Sequence, residues 1–345
     1  MMKRSGMLRK AIASPTIINA TDKVVPATPI VKAIIDVARA RGAHLEKLLR
    51  GTGLFLEDIS EHAGISPTQL SRLMINAQNM TTGHDCAFQA GSSLASSHYQ
   101  GLFVGISTCR HLMDVLRLAG IYRWSLSPFI SATRYESATQ YYFVLQDSMG
   151  ASKHWRFAVE MFCAALVAMS KHWHGQRLPF HFDFPFSRPR YIQEFETHLG
   201  YRLSFDQPML VVRLDKVAAY SPFKSVQPHM RRTLLAKYRE QRSGGMTLPD
   251  SVRFLVKKYP AISLDDVARR LSLSPATVKR RLREYEVTFR QLVDASKREQ
   301  AIYLLSVQKL SNEQSALKMA ISDLTNFRRA VKRWTGFTPS ELRNP

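Results

Sequence analysis

The sequence predicts an α+β N-terminal domain followed by an all-α C-terminal domain, in which a long helix joins two helix-turn-helix units. The chain has 345 residues, enough for two domains with separate cores. Short alternating apolar runs favour strands between residues 130 and 213, interspersed with helical periods, whereas from residue 246 onward we find only helical periods. We expect a loose tail over 1–28, the α+β domain over 29–225, a linker helix and hinge over 226–245, and the all-α domain over 246–345.

The α+β domain should begin with helices, because residues 28–50 carry apolar side chains at a helical period and further helical patterns occur between 85 and 124. Residues 56–73 match a helix-turn-helix by spacing alone. Their one cation, Arg72, is outnumbered by Glu57, Asp58 and Glu61, and phosphate would repel such a surface. We therefore interpret this stretch as packing helices.

The middle of the domain alternates between strands and helices. The pattern predicts strands over 130–136, 141–146, 178–186, 201–205 and 209–213, and helices over 152–173 and 190–199. The strand over 178–186 places Phe180, Phe182, Phe184 and Phe186 on one side. Residues 227–242 are then predicted to form a basic helix, and we expect the domain boundary at the glycines of Ser243-Gly244-Gly245.

The first helix-turn-helix unit extends from Ser263 to Leu282. Ser263 caps a helix with an inner stripe of Val267, Ala268 and Leu271. Ser274-Pro275 begins the second helix, since proline at the first helical position loses no hydrogen bond. This second helix points Val278 and Leu282 inward and leaves small and cationic residues on its outer face, as expected of a helix that enters a major groove.

The second unit repeats this design from Ser311, with Ala316, Leu317 and Ala320 expected to pack inside. Its second helix, 324–334, has an apolar stripe of Phe327, Ala330, Val331 and Trp334 and a basic opposite face. Between the units, 289–305 is predicted to be one long helix, a rigid spacer that would let the two units enter adjacent major grooves, roughly 10 base pairs apart.

Composition supports a polyanionic partner. The formal net charge is +22, which points first to nucleic acid. The three cysteines are widely spaced and odd in number, which favours a reducing compartment without disulfides. No segment approaches the ~18 to 20 consecutive apolar residues of a membrane helix. We therefore expect a cytoplasmic protein without a membrane partner.

The C-terminal run SDLTNFRRAVKRWTGFTPSELR, residues 322–343, closely resembles the DNA-binding domain of the AraC family of bacterial transcription regulators. Arg298, Ala301 and Leu304-Leu305 match the family's linker helix. The resemblance implies a sequence-specific transcription regulator that binds double-stranded promoter or operator DNA, works with RNA polymerase, can form a homodimer and needs no cofactor. Three positions depart from the family pattern, with Glu286 and Ala320 where glycine is usual and Val331 where phenylalanine is common.

The resemblance also assigns DNA contacts. Base-reading positions fall on the outer faces of the two second helices: Ala276, Thr277, Lys279, Arg280, Leu324, Thr325, Arg328 and Arg329. Lys and Arg can read guanine edges, whereas Leu324 and Ala276 can contact a thymine methyl. Residues better placed for phosphates are Ser274, Arg283, Lys332 and Arg333. A basic helix face is more often merely solvated, but two such faces behind two turns favour DNA binding.

Most of residues 30–220 resemble the arabinose-binding-like N-terminal domain of one AraC subgroup, which implies an effector pocket or a dimerisation surface. Aromatic residues with polar tips are candidates to line a pocket for a small-molecule effector: His98, Tyr99, Tyr122, Trp124 and Trp155. Such aromatics are more often simply core.

Two further hypotheses are disfavoured. A metal site at His172, His174 and His181 lacks a neighbouring Cys or acidic ligand, so we expect no metal there. We expect no enzyme activity, since nucleotide-binding and serine-hydrolase motifs are absent from the sequence. The alternative is a DNA-repair alkyltransferase that borrows the same DNA-binding domain. It would need an activated cysteine, and Cys109 beside Arg110 and His111 is the candidate.

Overall fold

The computed structural model describes residues 17–59, 63–96, 105–119, 123–151, 153–224 and 245–344. Its largest sheet has five strands, β4 (Ile130–Glu136), β5 (Gln140–Asp147), β6 (His181–Asp183), β7 (Leu203–Ser204) and β8 (Val211–Asp215), in the order β4-β5-β8-β6-β7. All neighbours are antiparallel except β6 and β7. The helix-and-strand composition confirms the predicted α+β class, although β6 occupies only the centre of the segment predicted as a strand.

The helices of the N-terminal region pack partly against one face of this sheet and partly in a second apolar cluster. They are α1 (Ile30–Ala40), α2 (Leu45–Leu49), α3 (Pro67–Met80), α4 (Cys86–Ser96), α5 (Leu112–Ala119), α6 (Arg123–Leu126), α7 (Trp155–His174), α8 (Ile192–Leu199) and α9 (Lys216–Ala219). The long helix α7 crosses α4 so closely that a Cβ at Gly91 would lie 2.0 Å from the Met161 carbonyl oxygen. Only glycine allows this approach. Among the described residues, no helix is both long and apolar enough to cross a membrane.

The expectation of a loose tail through residue 28 is wrong for residues 17–28. Strand β1 (Ile17–Ile18) pairs in parallel with β9 (Met246–Thr247), and β2 (Val25–Pro26) pairs with β3 (Gly64–Ile65). Ile18, Val25 and Ala27 are buried. The segment packs because its apolar side chains fill the core and its backbone groups find partners in distant strands. The rest of the expected tail, and the linker helix predicted over 227–242, lie outside the described residues.

The C-terminal region consists of α10 (Leu248–Lys258), α11 (Leu264–Arg270), α12 (Pro275–Glu284), α13 (Phe289–Ile302), α14 (Asn312–Lys318), α15 (Leu324–Thr335) and α16 (Pro339–Arg343). The predicted long helix is α13, continued by one π-helical turn over Tyr303–Val307. The pairs α11–α12 and α14–α15 are the two helix-turn-helix units. Predicted packing at Leu317 and Ala320 is wrong, because Leu317 is 80% exposed and Ala320 lies on the surface in the turn.

The second face of the five-stranded sheet is covered by the C-terminal region. Side chains alternate along a strand, so Leu145 and Val212 pack toward α7 while Val144 and Val211 point the other way. Val144 and Val211 belong to the same apolar cluster as Leu304, Leu305 and other core residues of the second helix-turn-helix unit. The sheet is therefore apolar on both faces, with N-terminal helices on one and the all-α region on the other.

Candidate nucleic-acid interface

The first helix-turn-helix unit is held by caps at both helix starts. The Ser263 hydroxyl accepts from the Asp266 backbone N–H, and the Asp266 carboxylate accepts in return from Ser263. These hydrogen bonds lower the pKa of Asp266. The Ser274 hydroxyl caps α12 by accepting from the Thr277 N–H at 3.1 Å. Predicted core residues Val267, Ala268, Leu271, Val278 and Leu282 are all buried, so the outer face of α12 is fixed by what its inner face packs against.

The second unit is built in the same way. Ser311 caps α14 through a capping box with Gln314, and the Asp323 carboxylate caps α15 by accepting from the Thr325 N–H at 2.8 Å. Phe327, Val331 and Trp334 are buried in α15. The indole N–H of Trp334 donates to Asp294 of α13 at 3.2 Å, which attaches α15 to the connecting helix.

The candidate base-reading residues lie on the side of each helix that is away from the core. Thr277 and Leu324 are half-buried. The other six are exposed: Ala276, Lys279, Arg280, Thr325, Arg328 and Arg329. Thr277 lies 2.8 Å from the Ser274 hydroxyl, and Arg280 forms an exposed ion pair with Glu284 at 2.9 Å. Arg329 makes no ion pair within the described part of the chain, so its guanidinium is available to a ligand.

The candidate phosphate-binding residues are exposed as well: Ser274, Arg283, Lys332 and Arg333. The Arg333 guanidinium lies over the Trp334 ring, 5.8 Å from its centroid, and Lys297 of α13 approaches the same ring at 5.7 Å. Both cations therefore flank one edge of the second unit.

Two positions that depart from the usual glycine adopt the conformation that glycine favours. Glu286 has φ 54° and Ala320 has φ 53°. Placing a residue with a Cβ in this left-handed region lowers the stability of the folded state by roughly 1 kcal/mol or more. Both turns therefore have the backbone geometry that glycine favours, although neither residue is glycine.

A polar network joins the all-α region to the sheet. Glu299 of α13 is completely buried, and its carboxylate accepts from Lys257 at 2.7 Å and from Gln146 of β5 at 2.6 Å. The Lys257 ammonium also donates to Thr133 of β4 at 2.6 Å. Burial and the adjacent Glu299 carboxylate raise the pKa of Tyr135. Sequence patterns did not indicate these contacts, because an isolated Lys or Glu on a helix normally faces solvent.

Further contacts fix the same arrangement. Arg123 forms an ion pair with buried Asp250 at the start of α10. The Tyr285 hydroxyl donates to the Ile18 carbonyl at 3.0 Å, and the Tyr303 hydroxyl donates to the Glu136 carbonyl at 3.0 Å. The connecting helix and both helix-turn-helix units are thus positioned by the α+β region through several independent contacts.

The candidate effector-pocket residues are only partly described. Trp124 is buried beneath Arg123, and Trp155 is half-buried between two apolar clusters. His98, Tyr99 and Tyr122 lie outside the described residues. A small cleft with a volume of about 20 Å³ lies between α1, α3, α4, α7 and residues 127–130. Neither tryptophan lines it; its walls are apolar apart from Ser127.

The residues of the disfavoured hypotheses are also placed. Cys109 is 0% exposed, and its thiol points to the Gly105 carbonyl oxygen at 3.7 Å, so a DNA substrate could not reach it in this conformation. Cys86, Cys109 and Cys163 are all buried, and none of them forms a disulfide with another described residue. His181 is 3.0 Å from Ser204 and His172 packs on the neighbouring Trp173 ring, while His174 stands half-buried at the end of α7.

Comparison with known proteins agrees with this architecture. Residues 42–223 match the family model described as the arabinose-binding domain of AraC transcription regulators, N-terminal, and residues 267–345 match a helix-turn-helix domain. An uncharacterised HTH-type transcriptional regulator of Mycobacterium tuberculosis is 22% identical over 336 residues, which cover 90% of this chain and 94% of that protein.

Two Pseudomonas aeruginosa proteins are also similar. The ornithine utilization regulator is 26% identical over 197 residues, which cover 54% of this chain and 57% of its own. The crystal structure of the transcriptional regulator CdpR aligns with a TM-score of 0.40 and 16% identity over 91% of this chain and 98% of that one. The arabinose-binding-domain match alone extends over more than half of the residues. The chain therefore belongs to the AraC family of transcription regulators, with an N-terminal effector-binding domain and a helix-turn-helix DNA-binding domain.

Proposed function

We propose that this regulator reads its DNA site with α12 and α15, one helix in each of two adjacent major grooves. The base contacts come from Ala276, Thr277, Lys279, Arg280, Leu324, Thr325, Arg328 and Arg329, and the phosphate contacts from Ser274, Arg283, Lys332 and Arg333. The observation that carries the proposal is that both helices bury an apolar face under capped starts and leave their cations in solvent. Arginine donors can then pair with guanine O6 and N7.

The experiment is to select binding sites from random duplex DNA with the full chain and compare two variants on the selected site. Arg329→Ala should lose about 1 to 3 kcal/mol and relax the preference at one base pair, because one bidentate contact is lost. Lys332→Ala should weaken selected and random DNA alike and reduce the salt slope by about 1. Lys318→Ala removes an exposed cation from α14 of the same unit and serves as the control. Equal losses for Arg329→Ala on both DNAs would remove its base-reading role.

We further propose that effector binding is transmitted to DNA through the sheet. The support is the Gln146–Glu299 bond, which connects β5 of the effector domain to the helix that joins the two helix-turn-helix units. Gln146→Leu should therefore change affinity for the selected site although Gln146 contacts no recognition helix. Gln140→Leu, on the same strand but bonded to Asp215 within the effector domain, is the matched control. Wild-type affinity in Gln146→Leu would exclude this route.

Membership of the family supports a proposal about the cellular setting. We propose that the protein is cytoplasmic, acts without enzymatic activity, binds a small-molecule effector, forms a homodimer on DNA and contacts RNA polymerase at its promoter. The fully buried Cys109 supports the non-enzymatic role. Sedimentation of the chain with and without one selected DNA site tests the dimer, and a methylated-DNA assay that yields S-methylcysteine at Cys109 would restore the alkyltransferase alternative.

A further inference from the structure

An acidic and histidine cluster in the effector domain is not used by DNA recognition. It consists of Asp85, which immediately precedes α4, and Glu194 and His198, which are four residues apart on α8. One ligand atom from each lies within 4.8 Å of the others, and the Glu194 carboxylate is 4.0 Å from His198 Nε2. Residues i and i+4 share a helix face, so α8 presents both of its ligands to Asp85.

The bonding of Asp85 leaves one oxygen free for a ligand. The residue is only 8% exposed, and its Oδ2 accepts from Gln89 at 2.7 Å and from Arg41. Its Oδ1 is buried and has no hydrogen-bond partner in the described structure. Leaving a buried carboxylate oxygen without a partner costs free energy. In metal sites, hydrogen bonds to one carboxylate oxygen orient the group and leave the other oxygen to bind the metal.

His198 is also prepared as a ligand. Its ring stacks on Phe88 with centroids 5.2 Å apart, which fixes the direction of Nε2. An imidazole nitrogen that is held in one direction can coordinate a cation through its lone pair.

We propose that Asp85, Glu194 and His198 bind a divalent transition-metal ion, with Zn²⁺ as the representative of this class. One imidazole nitrogen with carboxylate oxygens is a borderline ligand set that suits Zn²⁺ better than Mg²⁺ or Ca²⁺. Bonds of about 2.0 to 2.2 Å require the ligand atoms to approach within roughly 3.5 Å, so the half-buried Glu194 side chain would rotate toward Asp85 when the ion binds. Water completes the coordination from the exposed side.

Charge is consistent with a divalent ion. The two carboxylates contribute two negative charges, and Arg41 on Asp85 Oδ2 offsets one of them. Asp85, Glu194 and Arg41 together therefore carry one net negative charge, which a cation can neutralise. An ion held here would connect α8 to the start of α4, the helix that packs most closely against α7.

The test uses the EDTA-treated full chain and Zn²⁺ in isothermal titration calorimetry, with Co²⁺ absorption as a second probe of the ligand set. We expect one ion per chain with a micromolar or lower dissociation constant, and no competition from millimolar Mg²⁺. Glu194→Gln and His198→Phe should each weaken Zn²⁺ binding at least about 100-fold, because they remove a ligand, and Gln89→Ala about 10-fold, because it removes an outer hydrogen bond. The phenylalanine keeps the ring on Phe88.

Glu196→Gln is the matched control, since Glu196 lies on the same helix but faces Arg188 at 3.8 Å. It should bind Zn²⁺ as wild type does. Melting in EDTA checks that each variant is folded, and Glu194→Gln decides the outcome if His198→Phe is destabilised. The proposal is overturned if the wild type binds no Zn²⁺ in the micromolar range, or if Glu194→Gln binds it unchanged. DNA binding is measured in parallel and does not depend on this result.

Discussion

Replacing Lys257 by methionine should destabilise the folded chain by about 3 kcal/mol. The ammonium is the one cation bonded to the fully buried Glu299 carboxylate, at 2.7 Å, among the described residues. Removing one partner of a buried pair costs about 3 to 5 kcal/mol, because the other charge stays buried without compensation. Lys257 itself is 27% exposed, so some water already screens the pair and the lower end of this range applies.

Removing the charge of the other partner, Glu299, should lower the free energy of unfolding by less. Glu299→Gln keeps a side chain that can bond to Gln146, and the ammonium it abandons can reach water, so we expect about 1 to 2 kcal/mol. The double variant Lys257→Met with Glu299→Met should be close to wild type, since an apolar pair of similar volume carries no desolvation cost. Lys258→Met, the exposed neighbour, should change stability by less than about 0.5 kcal/mol.

Urea denaturation followed by tryptophan fluorescence measures all four variants. The order of losses is the decisive result: Lys257→Met largest, Glu299→Gln intermediate, and the double variant smallest of the three. If Lys257→Met costs no more than Glu299→Gln, the carboxylate is hydrated rather than buried, and the contact between sheet and connecting helix is looser than the structure indicates.

Three further outcomes are expected. Gly91→Ala should destabilise the effector domain by at least about 3 kcal/mol, because the new Cβ meets the Met161 carbonyl oxygen at 2.0 Å and two helix backbones must separate. Thermal melting of this variant is compared with that of the control Ser92→Ala. A loss of stability no larger than that of Ser92→Ala would contradict the close helix crossing. Burial raises the pKa of Glu160 to about 7, against the hydrogen bonds from Arg156 and Tyr191. Because the pKa of Glu160 is higher in the folded than in the unfolded state, its contribution to stability is fully present at low pH and is lost as pH rises from about 4.5 to 7. The free energy of unfolding of Glu160→Gln should therefore rise relative to that of the wild type by about 3 kcal/mol across this window. A difference that stays constant with pH in denaturation experiments would refute the assignment. Ala320→Gly should raise the free energy of unfolding by roughly 0.5 to 1 kcal/mol, since φ is 53° there, whereas a loss in urea denaturation would show that the turn is unstrained.

Local patterns predicted the elements that have local causes. The two helix-turn-helix units were identifiable because Ser263, Ser274 and Ser311 cap their helices and the buried residues follow a helical period. Strand β4 was predicted from its alternating polar and apolar side chains and from the polar turn that follows it. These features are encoded within a few residues of each other, so no knowledge of the tertiary fold is needed to find them.

Features that depend on distant partners were missed. The two-residue strand β1 has no local pattern and forms only because β9 lies beside it. Leu317 is apolar and adjacent to buried Ala316, but the helix turns it outward, where it remains exposed. Glu194 and His198 lie four residues apart within the predicted helix 190–199, but the third member of the cluster, Asp85, is remote in sequence. Charged residues such as Lys257 and Glu299 gave no indication of burial, because burial of a charge is decided by the element that covers it.

The pairing of Ile17 and Ile18 with Met246 and Thr247 also has a consequence for how the protein is made. The first strand leaves the ribosome long before its partner, so the whole effector domain is synthesised while this apolar edge has nothing to pair with. Contacts between distant segments form late, and unpaired apolar strands promote aggregation. An isolated N-terminal fragment ending before residue 246 would keep this edge permanently open, and we expect it to be far less soluble than the full chain.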